Sequence, residues 1–183
     1  MFALFKKPVK KPELVIREAN IKDAAGIINL LNDVGKEKIY MVSESYNWSV
    51  EEERQLIKRL DPDKELILVA DYGGKIIGCL TLFRYYGGRS AKVQHVGEIG
   101  ISIDSNFRSK GIGTKLFNYT IKWAKDKEYE KLCLSVFSTN TIALNLYKKF
   151  GFEEEGRREK QFKIDGQYVD EILMGLFIKN QSF

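Results

Sequence analysis

The first third of the chain alternates between a strand pattern and two helical patterns. Leu14–Glu18 alternates apolar and polar side chains, as a half-buried strand does. Apolar residues then recur at helical spacing from residue 24, and we expect Asp23 to cap that helix. Ser49 and Glu52 form a capping-box pattern that predicts the start of a second helix.

The middle of the chain predicts three antiparallel strands. Two apolar, β-branched runs over residues 65–71 and 75–84 flank a Tyr-Gly-Gly turn, which is a hairpin signal. Residues 95–103 form a third apolar run after a glycine-rich loop. Gly97 and Gly100 weaken that strand and indicate either a bulge or a close approach of another group to its backbone.

The last part predicts a β-α-β-α run followed by a hairpin. An amphipathic helix starts at Gly111, an apolar strand follows at residues 132–136, and a second amphipathic helix covers residues 139–150. This order requires parallel strands. Asp165-Gly166 then predicts a tight turn between the two final strands.

Composition limits the chain to one domain of a globular protein. Its 183 residues are 44% hydrophobic and 30% charged, with three prolines. We expect a flexible basic tail over residues 1–12 and a single domain over residues 13–183. No apolar run is long enough to span a bilayer, and the short apolar start is unlike a signal peptide. We therefore expect a cytoplasmic protein without a membrane partner.

Charge and metal-ligating residues exclude several other functions. The net charge is +5, but four lysines lie in the first twelve residues, so the remainder is nearly neutral. This distribution argues against a nucleic-acid partner, although salt-dependent binding through the tail is the alternative. Cys79 and Cys133 lie in apolar runs and are expected to be buried thiols. His95 is the only histidine, so neither a metal site nor a histidine-based triad is expected.

A glycine-rich turn precedes the first amphipathic helix of the second half. Gly111 and Gly113 lie in the run Arg-Ser-Lys-Gly-Ile-Gly that begins at Arg108. Free amides and the helix dipole at such a start favour an anion, for example a pyrophosphate. The alternative is that the glycines serve backbone geometry alone.

These residues resemble the GNAT superfamily of acetyl-CoA-dependent N-acetyltransferases. Arg108, Gly111 and Gly113 match its R/Q-x-x-G-x-G/A signature, which in the family also lies between a strand and an amphipathic helix. Downstream, Asn140 and the run Leu-Tyr-Lys-Lys-Phe-Gly-Phe from residue 146 match a second block. The end of the chain resembles the branch of phosphinothricin, amino-acid and ribosomal-protein N-acetyltransferases.

The resemblance implies an α/β (α+β) fold and an acetyl-CoA site. We expect a mixed, mostly antiparallel sheet of seven strands with about four helices on both faces. Ile101, Ser102 and Ile103 would pair with the pantetheine, and Asn140 would contact the coenzyme, cap its own helix, or do both. The pyrophosphate would bind the main-chain amides of Arg108, Ser109, Lys110, Gly111, Ile112, Gly113 and Thr114.

The resemblance also implies two catalytic residues and an amine acceptor. Tyr147 would protonate the leaving thiolate, with a core role as the alternative. Glu98 would accept the proton of the amine, with a water relay or a surface role as alternatives. We expect acetyl transfer to a small-molecule amine such as an amino acid or a polyamine; a protein amine, or coenzyme binding without turnover, is the alternative.

Two features stay open at this point. Homodimers are common in the family, and the sequence does not decide the oligomeric state. Aromatic residues of the predicted loops could line the acceptor pocket or form a satellite core; they are Tyr40, Tyr46, Trp48, Tyr85 and Tyr86.

Overall fold

A computed structural model describes residues 12–178 of the chain. The predicted basic tail, apart from Pro12, therefore lies outside the described residues. The helices and strands are β1 (Leu14–Glu18), α1 (Ala24–Gly35), α2 (Val50–Arg59), β2 (Leu66–Tyr72), β3 (Lys75–Arg84), β4 (Val96–Ile103), α3 (Ile112–Asp126), β5 (Lys131–Phe137), α4 (Thr141–Lys149), β6 (Glu153–Ile164) and β7 (Gln167–Phe177).

The strands form one seven-stranded sheet in the order β1-β2-β3-β4-β5-β7-β6. The β4–β5 pair is parallel, and the other five pairs within residues 12–178 are antiparallel. Both predicted tight turns are present: Gly73-Gly74 and Asp165-Gly166 have positive φ angles that suit two-residue hairpins. The predicted fold class is confirmed.

Helices cover both faces of the sheet. Successive side chains of a strand point to opposite faces, and in the central strands the side chains on both faces are apolar. Ile67 and Cys79 face α1 and α2, and together they form one core cluster. Leu68 and Leu80 point the other way, into a larger cluster that includes residues of α3 and Tyr147 of α4. The central strands are therefore buried on both faces, while the edge strand β6 is largely exposed.

The β4–β5 ladder is short, and this shapes the site. It consists of three pairs and ends at Glu98–Cys133, although β4 continues to Ile103 and β5 to Phe137. Beyond that pair the two strands diverge. The β3–β4 register is unbroken, which excludes the bulge and leaves the other predicted alternative, a close approach: a Cβ on Gly97 would lie 3.1 Å from Leu82 Cδ2.

Two predictions about single residues need correction. Asp23 occupies the predicted N-cap position of α1, but its side chain makes no capping hydrogen bond there; a 3₁₀ turn over Ile21–Asp23 precedes the helix, and the Asn20 side chain caps that turn. The Asp23 carboxylate instead accepts hydrogen bonds from the Arg17 guanidinium at 2.7 and 2.8 Å. Cys133 is only half-buried, whereas Cys79 is buried as predicted; both thiols are free.

The Arg17–Asp23 pair leads to a stability prediction. Hydrogen bonds from Arg17 lower the pKa of the buried Asp23 below its ordinary value. Its contribution to stability is therefore complete above about pH 4 and is lost as the pH falls through the lowered pKa. Asp23→Asn should reduce the free energy of unfolding by about 1.5–3 kcal/mol at neutral pH. In that variant the free energy of unfolding should also fall less steeply as the pH is lowered.

Chemical denaturation across a pH series measures both effects. Asp33→Asn is the control, because that carboxylate is 72% exposed and its one ion pair among the described residues is with the exposed Lys36. We expect the control to change stability by less than about 0.5 kcal/mol. Equal losses in the two variants would contradict the assigned role of Asp23.

Within residues 12–178, no helix is long and apolar enough to cross a membrane. The same part of the chain contains no group of three or more histidine, cysteine or acidic side chains placed to hold a metal ion.

Candidate active site

The divergence of β4 from β5 opens a cavity of about 620 Å³, which we call the cleft. One wall is the β4 edge from Ile99 to Ile103, and the other includes Ser135 and Val136 of β5. The β4 residues beyond Glu98 have no ladder partner on this side. An extended ligand can therefore pair with the open strand edge, as an added strand would.

The glycine-rich turn closes one end of the cleft. Ser109 and Gly111 adopt positive φ angles of 58° and 79°, and Gly111 immediately precedes the 15-residue helix α3. A Cβ on Gly111 would meet no atom within 4 Å, so the turn leaves open space over the amides of the first helical turn. This cradle fits a diphosphate.

The seven predicted cradle residues do not contribute equally. Side chains or backbone of Arg108, Ser109, Gly111, Gly113 and Thr114 line the cleft. Two others do not line it. The Lys110 ammonium donates to the Asn106 carbonyl at 2.7 Å, and the Ile112 side chain is buried in the core.

The Arg108 side chain joins the turn to the loop after α1. Its two terminal nitrogens donate to the Glu37 carboxylate, both at 2.6 Å, and its Nε donates to the Ile103 carbonyl at 2.9 Å. The guanidinium also lies 4.1 Å from the centre of the Tyr40 ring. These hydrogen bonds to Glu37 raise the pKa of Arg108. The positive charge of Arg108 is therefore balanced by Glu37, and the pair positions the loop after α1 over the cleft.

Tyr147 brings a hydroxyl group to the cleft. Its side chain is 5% exposed and packs against Phe117 and Phe152, at ring-centre distances of 5.6 and 6.0 Å. Burial raises its pKa, so the group remains protonated. No described residue hydrogen-bonds to this hydroxyl. In the described part of the chain Arg84 Nε is the only fully enclosed side-chain N or O atom without a partner, so the Tyr147 hydroxyl opens into the cleft.

Asn140 and Ser102 also line the cleft. The Asn140 side-chain oxygen accepts from the Ala143 amide at 3.1 Å, so Asn140 caps α4. This cap leaves its side-chain NH₂ group available to a ligand. The Ser102 hydroxyl contacts Met41 Sδ at 3.8 Å, which brings the loop after α1 over the C-terminal end of β4.

Glu98 lies at the end of the cleft and does not line it. It forms the last β4–β5 pair, is exposed, and faces the same side of the sheet as Gly100, two residues further along. Its carboxylate is near the Cys133 thiol, whose pKa is raised to about 11, mainly by burial and further by Glu98. Gly100, which does line the cleft, lies between Glu98 and the open strand edge.

The sequence did not reveal two acidic residues of the site. Glu37 pairs with Arg108 across 71 positions of sequence. Glu53 of α2 is 2% exposed and lines the cleft. Glu53 precedes Leu56 and Ile57 by three and four residues, so its place on the apolar face of α2 was the available signal.

Of the predicted pocket aromatics, Tyr40 and Tyr46 line the cleft. Trp48 stacks on Tyr46 with 5.6 Å between ring centres and is not part of the lining. Tyr85 and Tyr86 are exposed and also lie outside it.

An open strand edge, an amide-rich helix start and an unpartnered hydroxyl in one cleft suit a long thioester that carries phosphates. This combination defines an acyltransferase that uses a coenzyme A thioester. Comparison with known proteins agrees with that class. The sequence model of the acetyltransferase (GNAT) family matches residues 35–152, and the chain belongs to this family.

Individual relatives show the same likeness. The L-amino acid N-acetyltransferase AaaT of Escherichia coli is 33% identical over 108 residues, which are 58% of this chain and 65% of that protein. A GNAT acetyltransferase structure from Streptococcus pneumoniae has a TM-score of 0.83 and 31% identity, covering 90% of this chain and 99% of its own.

A phosphinothricin acetyltransferase from Sinorhizobium meliloti, solved in complex with acetyl-CoA, has a TM-score of 0.80 at 18% identity. It covers 90% of this chain and 88% of its own, and it shares the fold. The predicted class, an acetyl-CoA-dependent N-acetyltransferase, is confirmed together with the family.

Proposed function

We propose that the chain transfers the acetyl group of acetyl-CoA to a primary amine of a small molecule, in the cleft between β4 and β5. The observation that carries this proposal is the Tyr147 hydroxyl, which is buried, protonated and without a partner among residues 12–178 at the wall of the cleft. Acetyl-CoA, when bound, supplies a thioester.

The main chain and the turn bind and orient that thioester. Amides of the turn residues that line the cleft hold the diphosphate, with the cradle geometry of Gly111 as support; these residues are Arg108, Ser109, Gly111, Gly113 and Thr114. The unpaired edge from Ile101 to Ile103 binds the pantetheine, and the free NH₂ group of Asn140 adds a donor. A main-chain amide near Ile101 stabilises the developing negative charge on the thioester oxygen.

Two proton transfers complete the reaction. An amine is protonated at neutral pH and must lose a proton before it attacks, and the departing sulfur must gain one. Tyr147 donates to the sulfur. Glu98 accepts the proton of the amine. Its carboxylate points to the same side of the sheet as Gly100, which lines the cleft, but Glu98 does not line the cleft itself, so a water molecule carries the proton between them.

A small acceptor is favoured over a protein segment. Lys38, in the loop after α1, donates to Asp165 at the β6–β7 turn at 3.2 Å. These two elements belong to opposite sides of the cleft, so their contact bridges it. The bridge and the volume of about 620 Å³ leave room for a ligand of modest size.

Calorimetric titration with acetyl-CoA, in parallel with thiol release across amino acids, polyamines, alkylamines and N-terminal peptides, tests the proposal. We expect saturable binding and release with small amines. Release with peptides alone would replace the acceptor by a protein amine. Binding without any release would favour a coenzyme-binding module, and an absence of binding would refute the assigned cradle.

A further inference from the structure

Glu53 is a buried carboxylate that the proposed chemistry does not use. Its side chain is 2% exposed, and carboxylates are rarely buried unless they are paired. Within residues 12–178 it forms no ion pair, and one hydrogen bond reaches it, from the Tyr46 hydroxyl to Oε2 at 3.0 Å. Burial raises the pKa of Glu53. The protein thus carries an energetic cost at this position.

The second carboxylate oxygen faces the cleft. Glu53 lines the cavity, and its Oε1 accepts no hydrogen bond from the described residues. Oε1 is also absent from the enclosed, unpartnered atoms of residues 12–178, of which Arg84 Nε is the sole example. Oε1 is therefore open to a ligand. The surrounding walls are apolar and are formed by Ile27, Leu31, Leu56, Ile67 and Phe83.

The charge of the cleft is consequently one-sided. Among the described lining residues, Glu53 has the one carboxylate side chain and Arg108 the one cationic side chain. Arg108 is neutralised by the bidentate contact with Glu37. An acceptor carboxylate would thus find no free cationic side chain in the lining, whereas a cationic group would find an unpaired carboxylate.

Glu53 and Tyr147 also lie on opposite faces of the sheet. Glu53 is on α2, which packs over Cys79 and Ile67, whereas Tyr147 is on α4 and packs in the cluster of the other face. Tyr147 and Glu53 thus approach the cleft from opposite faces, and we assign the thioester and the Glu53 carboxylate to different atoms of the ligand. A ligand that reaches both must have two separate polar ends joined by an apolar segment.

We propose that Glu53 binds a second, cationic group of the acceptor, so that the acceptor class is a diamine with an apolar spacer. This inference rests on the proposed acetyl transfer. One amine of such a molecule lies deprotonated at the thioester, and the other remains an ammonium ion hydrogen-bonded to Glu53. Compounds with a carboxylate in that place, including α-amino acids, are disfavoured.

Rates with α,ω-diamines, n-alkylamines and ω-amino carboxylates of equal chain length test the inference. We expect kcat/KM to fall in that order for the wild-type protein. Glu53→Gln, which keeps the acceptor for Tyr46 but removes the charge, should reduce the diamine-to-alkylamine ratio by about 10- to 100-fold, the range of a charge-assisted hydrogen bond. Glu51→Gln, on the exposed side of the same helix, is the matched control and should keep the ratio.

Thermal unfolding separates binding from a structural role. Because Glu53→Gln removes a buried charge, we expect its Tm to rise, whereas a structural carboxylate would give a lower Tm. An equal loss of rate for diamines and alkylamines would overturn the inference, because it would place Glu53 at the reacting amine. A wild-type preference for amino carboxylates would overturn it as well.

Failure of the proposed function has a different signature. If no amine is acetylated, calorimetry with diamines in the presence of coenzyme A shows whether Glu53 still forms a binding site for a cationic group, called the cationic site. Diamine binding that Glu53→Gln weakens, with no thiol release from any amine, would refute the transferase reaction and retain the cationic site. Release with alkylamines as fast as with diamines would refute the cationic site alone.

Discussion

Tyr147→Phe is expected to lower kcat by about 100- to 1,000-fold while the affinity for acetyl-CoA stays within about twofold. The hydroxyl lines the cleft and has no partner among the described residues, so its removal breaks no internal hydrogen bond. The ring of phenylalanine keeps the packing against Phe117 and Phe152. The loss should therefore fall on the chemical step, where the departing sulfur lacks its proton donor.

Tyr129→Phe is the matched control for this experiment. Tyr129 is 6% exposed, nearly as buried as Tyr147, but its hydroxyl donates to the Lys64 carbonyl outside the cleft. We expect this variant to lose stability, by about 1 kcal/mol for one hydrogen bond, and to keep its kcat. Thiol release at saturating substrates and thermal unfolding measure the two properties. An unchanged kcat in Tyr147→Phe would assign Tyr147 to the core alone.

The pH profile adds a second check on Tyr147. Burial raises the pKa of its hydroxyl above the ordinary value near 10, so the proton donor is present throughout the neutral and mildly alkaline range. Deprotonation of Tyr147 should therefore cause no fall in kcat below about pH 10. A falling limb near neutral pH that disappears in Tyr147→Phe would contradict this assignment.

Local signals account for the part of the fold that the sequence predicted. The capping box of Ser49 and Glu52 and the turn at Asp165-Gly166 each act within four residues, and both are present. Hairpin turns fix the register of neighbouring strands, so the β2–β3 and β6–β7 pairs follow from such short motifs, whereas the other three antiparallel pairs of the described residues do not. Asp23 escaped prediction because a cap and an ion pair require the same residue type, and the partner Arg17 lies in another element.

The site was predictable only where its residues form a continuous motif. The turn around Gly111 combines a helix start with glycine, and both are visible in the sequence. Glu37 could not be assigned to Arg108 because nothing local specifies a contact over 71 positions. Glu53 was visible in principle, since an acidic residue on an apolar helix face indicates burial. The neighbouring Glu51 and Glu52, however, make the same turn consistent with an exposed acidic helix start.

The cleft opens where β4 and β5 separate, and no pattern of residues in either strand specifies that point. The β4–β5 ladder stops after three pairs although both strands continue. A strand pattern predicts extended backbone and cannot specify where two distant strands separate. That separation frees the backbone of Ile101 and Ile103 and at the same time leaves Glu98 at the apex, beside the cleft. The position of Glu98 outside the cleft lining and the open binding edge of β4 thus have one structural cause.

Gly111→Ala is expected to weaken acetyl-CoA binding by about 100-fold, equivalent to two charge-assisted hydrogen bonds of roughly 1.5 kcal/mol each. Gly111 has a φ of 79°, which disfavours any residue with a Cβ, and its Cβ would project into the open space of the cradle. The methyl group would displace the diphosphate and tilt the first amides of α3. Titration calorimetry with acetyl-CoA measures the loss.

Gly74→Ala separates this effect from backbone strain. Gly74 has a φ of 93° and likewise no atom within 4 Å of a Cβ, but it lies in the β2–β3 turn, away from the cleft. Both variants should lose about 1 kcal/mol of stability, because each forces alanine into the left-handed region. Only Gly111→Ala should lose coenzyme affinity. Equal affinity in both variants would mean that the helix start is shaped by backbone geometry alone, since the empty space over Gly111 would then contact no ligand.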